Sequence, residues 1–465
     1  MGVDGSSQPV GGAAIGPGLV AALSLVVAVV LGDAGVVTLA LPEILREFGA
    51  TVWGVAWVLI SFNLVLALAA VPAARLCVHR DPVAAQAVGL LVFAAATTLC
   101  AVARSLGVLI TARAVQAAGG AVVIVGGLEF LVAARGEWVG VRRWAWAGVV
   151  GAALGPVAGG LLTSAFSWRA IFVVQIPLVL AALPAAAALR GRFAPRELSL
   201  HAPDPPHLAA NVALALLSAA LTAALFLLVL LLVDGWRRSP ALVAIAVTAL
   251  PAAALAAGPV LRRARAGTRS EAVAGAVLIA GGLAGLALLP GAHLVWTLAP
   301  QVLIGLGLGF AVDSLTEAAL RHRTPRALHG GWTIAARHAG VVIGLAILTP
   351  IFTADLRHTE TPAKEAIARL VLDAPLPGST KLDLVEHLGR QLAGERGRVP
   401  DLRPVFTAAR VPPVQARAAA ALERGLEDQL TRAATHAFRT AFFVAAGLAL
   451  LALLPALTLR NRTGS

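Results

Sequence analysis

The stretch GAALGPVAGG, Gly151 to Gly160, places four glycines and a proline in ten residues within an apolar run. An apolar run in a membrane is expected to be a helix, yet Gly and Pro are the two weakest helix formers. Gly151, Gly155 and Gly159 are four residues apart, so they lie on one face of that helix. A face without side chains lets a neighbouring backbone approach closely, and Pro156 adds a kink that neighbours accommodate. The stretch therefore predicts a bent helix with a closely packed face.

The composition around this stretch is that of a membrane protein. Hydrophobic residues make up 58% of the 465 residues, charged residues make up 13%, and the mean hydropathy is +0.85. In a soluble chain about a quarter of the residues are charged. Windows of about 19 residues predict twelve spans, near 17–42, 52–74, 83–103, 107–133, 144–165, 168–189, 209–233, 240–261, 271–290, 294–318, 330–354 and 440–459. We therefore predict an all-α polytopic membrane protein.

The basic residues follow the pattern of a multi-pass protein rather than that of a nucleic-acid-binding protein. The formal net charge is +13, but the arginines sit in short clusters between apolar runs. With a cytoplasmic N-terminus, 17 arginines fall in inner segments and 5 in the short outer loops. This bias obeys the positive-inside rule. We predict a protein of the cell membrane with both termini in the cytoplasm and no nucleic-acid partner.

The spans form two groups of six, joined by a polar linker that is rich in Pro and Arg. We predict a cytoplasmic tail at 1–16, a six-helix bundle at 17–189, a cytoplasmic linker at 190–208, five helices of a second bundle at 209–354, an extracytoplasmic segment at 355–436, and the last helix with a cytoplasmic tail at 437–465. In the outer segment Leu422, Leu426 and Leu430 recur at helical spacing. We expect short helices in a cap over the outer mouth; a partly disordered loop is the alternative.

Several stretches, in the same order along the chain, resemble one family. GxxxGPxxGG in the fifth span is similar to the antiporter signature of drug exporters in the major facilitator superfamily. Four further stretches resemble the drug:proton antiporter branch that usually has fourteen helices: GDAGVVTLALPEI (Gly32 to Ile44), LITARAVQAAGG (Leu109 to Gly120), SWRAIFVVQIPLVL (Ser167 to Leu180) and TIAARHAGVVIG (Thr333 to Gly344). The resemblance implies the major facilitator fold, with Asp33 and Arg113 at the acid and the arginine of two motifs. It also implies that the glycines, including Gly160, and Pro156 face a helix of the other half.

The chain departs from this branch in two ways. It has about twelve spans, as if the central pair were absent. The loop between the second and third spans, ARLCVHRDPV (Ala74 to Val83), lacks the glycines and the aspartate of the family pattern GRLADRxGRR, since Val78 stands at the aspartate. In the family this loop helps to lock the inner gate by charge pairing. We expect closure at this corner to use other contacts and Val78→Asp, near an exposed end, to be tolerated.

Charged side chains within the spans are expensive, and each is a functional hypothesis. Asp33 and Arg113 are predicted at matching depths, roughly 9–14 Å below the outer ends of their spans at 1.5 Å per residue. We interpret Asp33 as the proton-coupling group and Arg113 as its partner, with a static buried ion pair as the alternative. Arginine stays protonated, so only the carboxylate can load and release a proton.

Four other charges and one histidine fall within the predicted spans. Asp313 and Arg337 lie on consecutive spans near the inner face, and Glu129 and Glu317 lie closer still to the inner ends. For these four, pairing with arginines of the inner loops is the favoured interpretation. His338 is interpreted as a packing residue near the end of its span.

The motifs that would indicate an enzyme or an ATP-driven pump are missing. The sequence contains no HExxH, GxSxG, paired CxxC or GxxxxGK[ST], so we expect no catalytic residue, metal or cofactor. The resemblance implies a proton-coupled exporter of small amphipathic or drug-like compounds, a monomer whose partners are its substrate, protons and the lipid bilayer. The alternative is a non-transporting relative that acts as a membrane scaffold or regulator.

Overall fold

The computed structural model describes residues 16–190, 193, 203–264, 267–321, 323–394, 402–408 and 413–460. Within these ranges twelve helices are long and apolar enough to cross a membrane, which confirms the predicted all-α fold and its number of spans. In chain order, spans 1 to 12 are Pro17–Thr38, Val52–His79, Pro82–Ala101, Leu106–Arg135, Glu137–Ala165, Ala170–Ala187, Leu208–Gly235, Pro240–Gly258, Thr268–Ala287, Leu294–Leu320, Arg326–Thr359 and Ala416–Leu457.

Some predicted features lie outside the described residues. They are the tail up to residue 15, most of the linker 190–208, and the basic side chains Arg192, Arg196, Arg265 and Arg462. Since residues 17 and 457 lie at one end of the bundles, we call that end the terminal face. The opposite end, from which residues 360–415 project, is the extension face.

The two groups of six spans are built from the same helix pairs. In the first half span 1 packs on span 5, and span 4 packs on spans 2 and 3. In the second half span 7 packs on span 11, and span 10 packs on spans 8 and 9. Across the halves, span 2 contacts span 11 and span 5 contacts span 8. This is the predicted architecture of two six-helix bundles, with two equivalent contacts between them.

The glycine stripe of span 5 faces span 1 of its own half, so the expectation that it faces the other half is wrong for these glycines. A Cβ at Gly155 would lie 2.6 Å from the carbonyl oxygen of Gly32. A Cβ at Gly151 or Gly159 would lie closer still to a backbone carbonyl oxygen, that of Ala28 or Val36, one helical turn away on either side. The stripe therefore fixes the position of span 1.

Pro156 and Gly160 lie at the ends of this contact. Pro156 packs on Gly35 of span 1, where a Cβ would be 3.0 Å from the proline ring. Gly160 faces span 8, with Ala244 as its nearest side chain, so this glycine does meet the other half. The expectation from the family resemblance therefore holds for one of the four glycines.

The second half repeats this arrangement. Gly340 and Gly344 of span 11 face the backbone carbonyls of Ala215 and Ala219 on span 7. Each glycine lies where a side chain would displace the neighbouring backbone, so the two helices are in close contact. Spans 5 and 11 are therefore equivalent positions of one repeated design.

Three helix ends differ from the sequence prediction. Span 1 ends at Thr38, and a separate short helix, Leu41–Glu47, follows it. Span 5 begins at Glu137 rather than at 144. The helix of span 11 continues to Asp373. In the last two cases polar residues lower the average hydropathy of a window, although the helix itself continues.

The outer segment contains both long and short helices. The span 11 helix, Arg326–Asp373, continues beyond its span. Span 12 is made of the helices Ala416–Ala437, Arg439–Leu451 and Leu453–Leu457. Between spans 11 and 12 lie Gly378–Gly394, Arg403–Ala408 and a 3-10 turn, Pro413–Gln415. These helices share a small apolar core: Ile367, Val371, Ala374, Leu376, Leu384, Leu388, Leu402, Val405, Leu422 and Leu426. Helices here were predicted; their position over the outer mouth stays a prediction.

Candidate functional site

The structure brings the two predicted charges together in the interior of the first bundle. Asp33 on span 1 and Arg113 on span 4 form an ion pair, and both side chains are fully buried. The close packing of Gly32 against span 5 holds the adjacent Asp33 at this depth. A buried ion pair is costly to break by removing one partner, by about 3–5 kcal/mol, because the other charge is left without compensation.

Three further polar residues complete a cluster that we call the Asp33 network: Asp33, Arg113, Thr97, Gln116 and Gln175. Gln175 Nε2 on span 6 donates to Asp33 Oδ1 at 3.0 Å. Arg113 Nη1 donates to Gln116 Oε1 at 2.6 Å, and Gln116 Nε2 donates to Thr97 Oγ1 at 2.8 Å. Four spans of the first bundle therefore contribute to one polar network around this carboxylate.

The sequence analysis missed the two glutamines, although both lie within quoted motifs. Gln116 is in LITARAVQAAGG and Gln175 is in SWRAIFVVQIPLVL. A buried amide within a span requires hydrogen-bond partners in the same way as a charge does. That requirement was the signal that could have placed them beside Asp33.

The guanidinium of Arg113 has contacts that do not depend on Asp33. Its Cζ lies 4.1 Å from the ring centroid of Phe62, a distance typical of a cation–π contact. Its Nε donates to the carbonyl oxygen of Val58 at 3.4 Å. Its Nη2 is enclosed without a hydrogen-bond partner in the described part of the chain. An enclosed donor of this kind costs about 1–3 kcal/mol, so the network is incompletely satisfied in this conformation.

The other predicted intramembrane charges lie elsewhere. Asp313 on span 10 interacts electrostatically with Arg337 on span 11 and with Glu317, one turn further along its own helix. Asp313, Arg337, Glu317 and Glu129 are each half-buried. Asp313 thus interacts with an arginine of a neighbouring span, whereas the favoured interpretation expected a loop arginine.

At the terminal face the two bundles meet through apolar side chains. Ala74 and Val125 of the first half pack with Ala327 of the second, and Val78 and Leu328 lie against them. Arg326 and Glu137 form an ion pair at the same face. Closure at this corner does use contacts other than those of the family loop. Val78 does lie next to the exposed residues that end its helix, but its side chain is half-buried and packs in the contact between the halves.

At the extension face the contact between the bundles includes an ion pair. Arg46, in the short helix after span 1, lies 3.2 Å from Asp234 at the end of span 7. Nearby, Glu47 binds Arg169 at 2.7 Å and accepts a hydrogen bond from Trp168 Nε1. The hydrogen bond from Arg169 lowers the pKa of Glu47. Both pairs are partly exposed.

Known proteins resemble this chain in sequence and in fold. The model of the Major Facilitator Superfamily matches residues 23–349. Multidrug resistance protein Stp of Mycobacterium tuberculosis (strain CDC 1551 / Oshkosh) is 35% identical over 150 residues, which cover 31% of this chain and 28% of Stp. The Methylenomycin A resistance protein of Streptomyces coelicolor is 32% identical over 228 residues, which cover 48% of this chain and 46% of that relative. The chain thus matches less than half the length of these relatives.

The fold is also found in a solved structure. A bacterial homologue of the human lysosomal transporter Spinster, crystallised in an inward-facing and unoccupied conformation, superposes with a TM-score of 0.60. The match covers 95% of this chain and 98% of that chain at 16% sequence identity. With a family match over most of its length and twelve spans in two equivalent bundles, the chain belongs to the Major Facilitator Superfamily of membrane transporters.

Proposed function

We propose that this transporter is a proton-coupled exporter of small amphipathic or drug-like compounds, working by alternating access. The observation that carries the proposal is the Asp33 network, a fully buried carboxylate and guanidinium within the first bundle. The names of its relatives, a multidrug resistance protein and a methylenomycin A resistance protein, support export of small organic compounds.

Asp33 is the group that exchanges the proton in this mechanism. When the bundles move and the ion pair with Arg113 loosens, the isolated carboxylate is uncompensated, and binding a proton neutralises it. When the pair forms again, the proton leaves. The guanidinium keeps its own proton in both states. One carboxylate therefore accounts for one proton in each cycle.

Arg113 stays in place when Asp33 is neutral. Gln116 and the carbonyl oxygen of Val58 still accept from it, and the face of Phe62 still lies 4.1 Å from its Cζ. Gln175 can likewise keep its hydrogen bond to a protonated carboxyl group, which retains acceptor capacity. Asp33 can therefore be ionised or protonated while the other side chains of the network keep these contacts.

Alternating access would use the contacts that join the bundles. At the terminal face the Val78 corner and the Glu137–Arg326 pair hold the halves together, and at the extension face Arg46 pairs with Asp234. Rocking of one bundle against the other breaks the contacts of one face at a time. The apolar corner replaces the charge pairing of the family loop.

We place the terminal face, with both termini, in the cytoplasm of the cell membrane, because most arginines of short loops lie at that face. A cysteine at the exposed Ser379 tests this orientation. It should react with an impermeant maleimide in intact cells, while the buried thiols of Cys77 and Cys100 give little background. Labelling that occurs only after lysis would show that the protein has the opposite orientation in the membrane.

Reconstitution tests the transport activity itself. The purified full chain, which we expect to be monomeric, is placed in vesicles with an imposed pH gradient and a panel of fluorescent amphipathic compounds. Movement of a compound that requires the gradient, accompanied by proton flux, is expected. A membrane scaffold would move no compound under any gradient, so that outcome would favour the alternative function.

A further inference from the structure

Asn63 and His338 form a polar contact between the two bundles at half the depth of the membrane. Asn63 lies eleven residues into span 2, counted from Val52 at the extension face. His338 lies twelve residues into span 11, counted from Arg326 at the terminal face. At 1.5 Å per residue both are about 16–18 Å from their helix ends. The interpretation of His338 as a residue near the end of its span is therefore wrong.

The hydrogen bonds of Asn63 define the orientation and tautomer of the imidazole. Asn63 Nδ2 donates to the carbonyl oxygen of Leu59 at 2.8 Å, so Asn63 Oδ1 is the acceptor that faces His338. His338 Nδ1 lies 2.7 Å from this oxygen and must donate to it. A neutral imidazole with its proton on Nδ1 carries a free lone pair on Nε2.

The Nε2 atom of His338 is available to a ligand. The side chain is more than nine-tenths buried, with 7% exposure, and none of the described residues hydrogen-bonds to Nε2. Unlike the two ring nitrogens of His329, it is not among the enclosed polar atoms that lack a partner. An oriented acceptor that is not fully enclosed, at the contact between the two bundles, is suited to a donor on a transported compound.

The charge around His338 restricts the class of ligand. Arg337, its neighbour on span 11, interacts with it electrostatically, and Asp313 on span 10 in turn interacts with Arg337. A cation adjacent to the imidazole disfavours a second cation as the donor. The chemistry therefore favours an uncharged compound with an O–H or N–H group.

We propose that His338 Nε2, oriented by Asn63, accepts a hydrogen bond from uncharged amphipathic substrates that carry an O–H or N–H donor. This assignment rests on the proposed export function, because a compound that binds here is a substrate only if the protein transports it. It makes His338 a specificity-determining residue and Asn63 a positioning residue. Proton coupling remains with Asp33, which lies in the first bundle.

A matched pair of probes tests the assignment. 2-Naphthol and 2-methoxynaphthalene are both uncharged at pH 7 and differ in one O–H group. Equilibrium binding of each to the purified full-length protein is measured by fluorescence, without any gradient. The wild type should bind 2-naphthol more tightly than its methyl ether by about fivefold, the contribution of one neutral hydrogen bond of ~1 kcal/mol.

His338→Asn keeps a donor to Asn63, because its amide nitrogen takes the place of Nδ1. It leaves no acceptor at the position of Nε2, since its amide oxygen stands where Cδ2 was. This variant should lose the preference for 2-naphthol and bind the methyl ether as the wild type does. Asn63→Leu, which removes the hydrogen bond that orients the ring, should reduce the preference in part. His358→Asn, at an exposed histidine beside the extension-face end of span 11, is the matched control and should change neither probe.

The outcomes separate the assignment from the export function. If His338→Asn weakens the binding of both probes equally, His338 has a packing role. If the preference for 2-naphthol is unchanged, Nε2 is not the acceptor. A wild type that binds neither probe, or binds both equally, would also overturn the assignment. Failure of gradient-driven transport with the preference intact would refute the export function and leave the binding site standing.

Discussion

The two bundles share their helix pairs and their glycine contacts, but they differ in the charge that this scaffold holds. Gly151 faces Ala28 as Gly340 faces Ala215, and the next glycine of each stripe repeats the contact one turn later. Five residues after Ala28 is Asp33, whereas five residues after Ala215 is Ala220. The same framework thus holds a buried carboxylate in one half and a methyl group in the other.

The second partner differs in the same way. Gly119 of span 4 packs on Gly89, and Gly307 of span 10 packs on Gly275. Six residues before Gly119 is Arg113, and six before Gly307 is Gln301, a buried amide that donates to Thr297. A pair of charges in the first half corresponds to two neutral residues in the second. We infer that the first bundle couples protons, while the second half contributes the inner surface that carries His338.

The largest effect should come from removing the charge of the first bundle. Asp33→Asn keeps the hydrogen bond from Gln175 Nε2 through the amide oxygen, but it cannot exchange a proton. We expect gradient-driven export to be abolished while the protein still folds and binds substrate. Transport in reconstituted vesicles and equilibrium binding on the same preparation measure the two properties separately.

The matched control for this substitution lies in the second half. Asp313→Asn changes a half-buried carboxylate that interacts with Arg337 and should leave gradient-driven export measurable. Full proton-driven transport by Asp33→Asn would refute the assignment of Asp33 as the proton-coupling group. The next candidates would then be Asp313 and Glu129, which are both half-buried acids within the spans.

A smaller effect is expected at the corner where the halves meet. Val78→Asp places a carboxylate against Ala327 and Leu328, in an apolar environment that offers it no polar partner, and this weakens closure at the terminal face. We expect transport to fall several-fold and a cysteine at Ala327 to react faster with a thiol reagent. Val78→Thr, of similar shape, should have a weaker effect. Unchanged labelling in Val78→Asp would show that the corner does not close the terminal face.

Equivalent glycines in the two bundles should cost similar stability when they are replaced. Gly155→Ala places a methyl group 2.6 Å from the Gly32 carbonyl oxygen, and Gly344→Ala meets the Ala219 carbonyl in the same way. Each overpacked contact should cost about 1–3 kcal/mol and lower the Tm by several degrees. Gly281→Ala, where a Cβ would meet nothing within 4 Å, is the control and should not lower the Tm. A fall confined to one bundle would contradict the proposed equivalence.

The sequence was sufficient for those features that depend on local composition. Hydropathy predicts the twelve spans, and depth along the helices predicts that Asp33 and Arg113 lie at matching levels. Contacts between distant helices were harder, because a glycine stripe shows that a backbone approaches closely but does not show which one. The same limit applies to Val78 and to His338, whose roles depend on residues of the opposite bundle. Hydropathy also did not predict that the span 11 helix continues to Asp373, because the residues beyond Thr359 are largely polar.

The smallest effect should come from the exposed ion pairs, in contrast to the buried pair of the first bundle. Arg169 lowers the pKa of Glu47 through a direct hydrogen bond, so this pair stabilises the fold when Glu47 is ionised. Its contribution is complete above the ordinary glutamate pKa of about 4.3 and is lost as the pH falls through the lowered value. Because both side chains are about one-third exposed, solvent screening limits the contribution to roughly 0–1 kcal/mol. Glu47→Gln should lower the Tm slightly at pH 7, and the difference from the wild type should shrink as the pH is lowered. A difference that grows at low pH would instead show that Glu47 acts through its protonated form, which is not expected of a carboxylate that accepts from both Arg169 and Trp168.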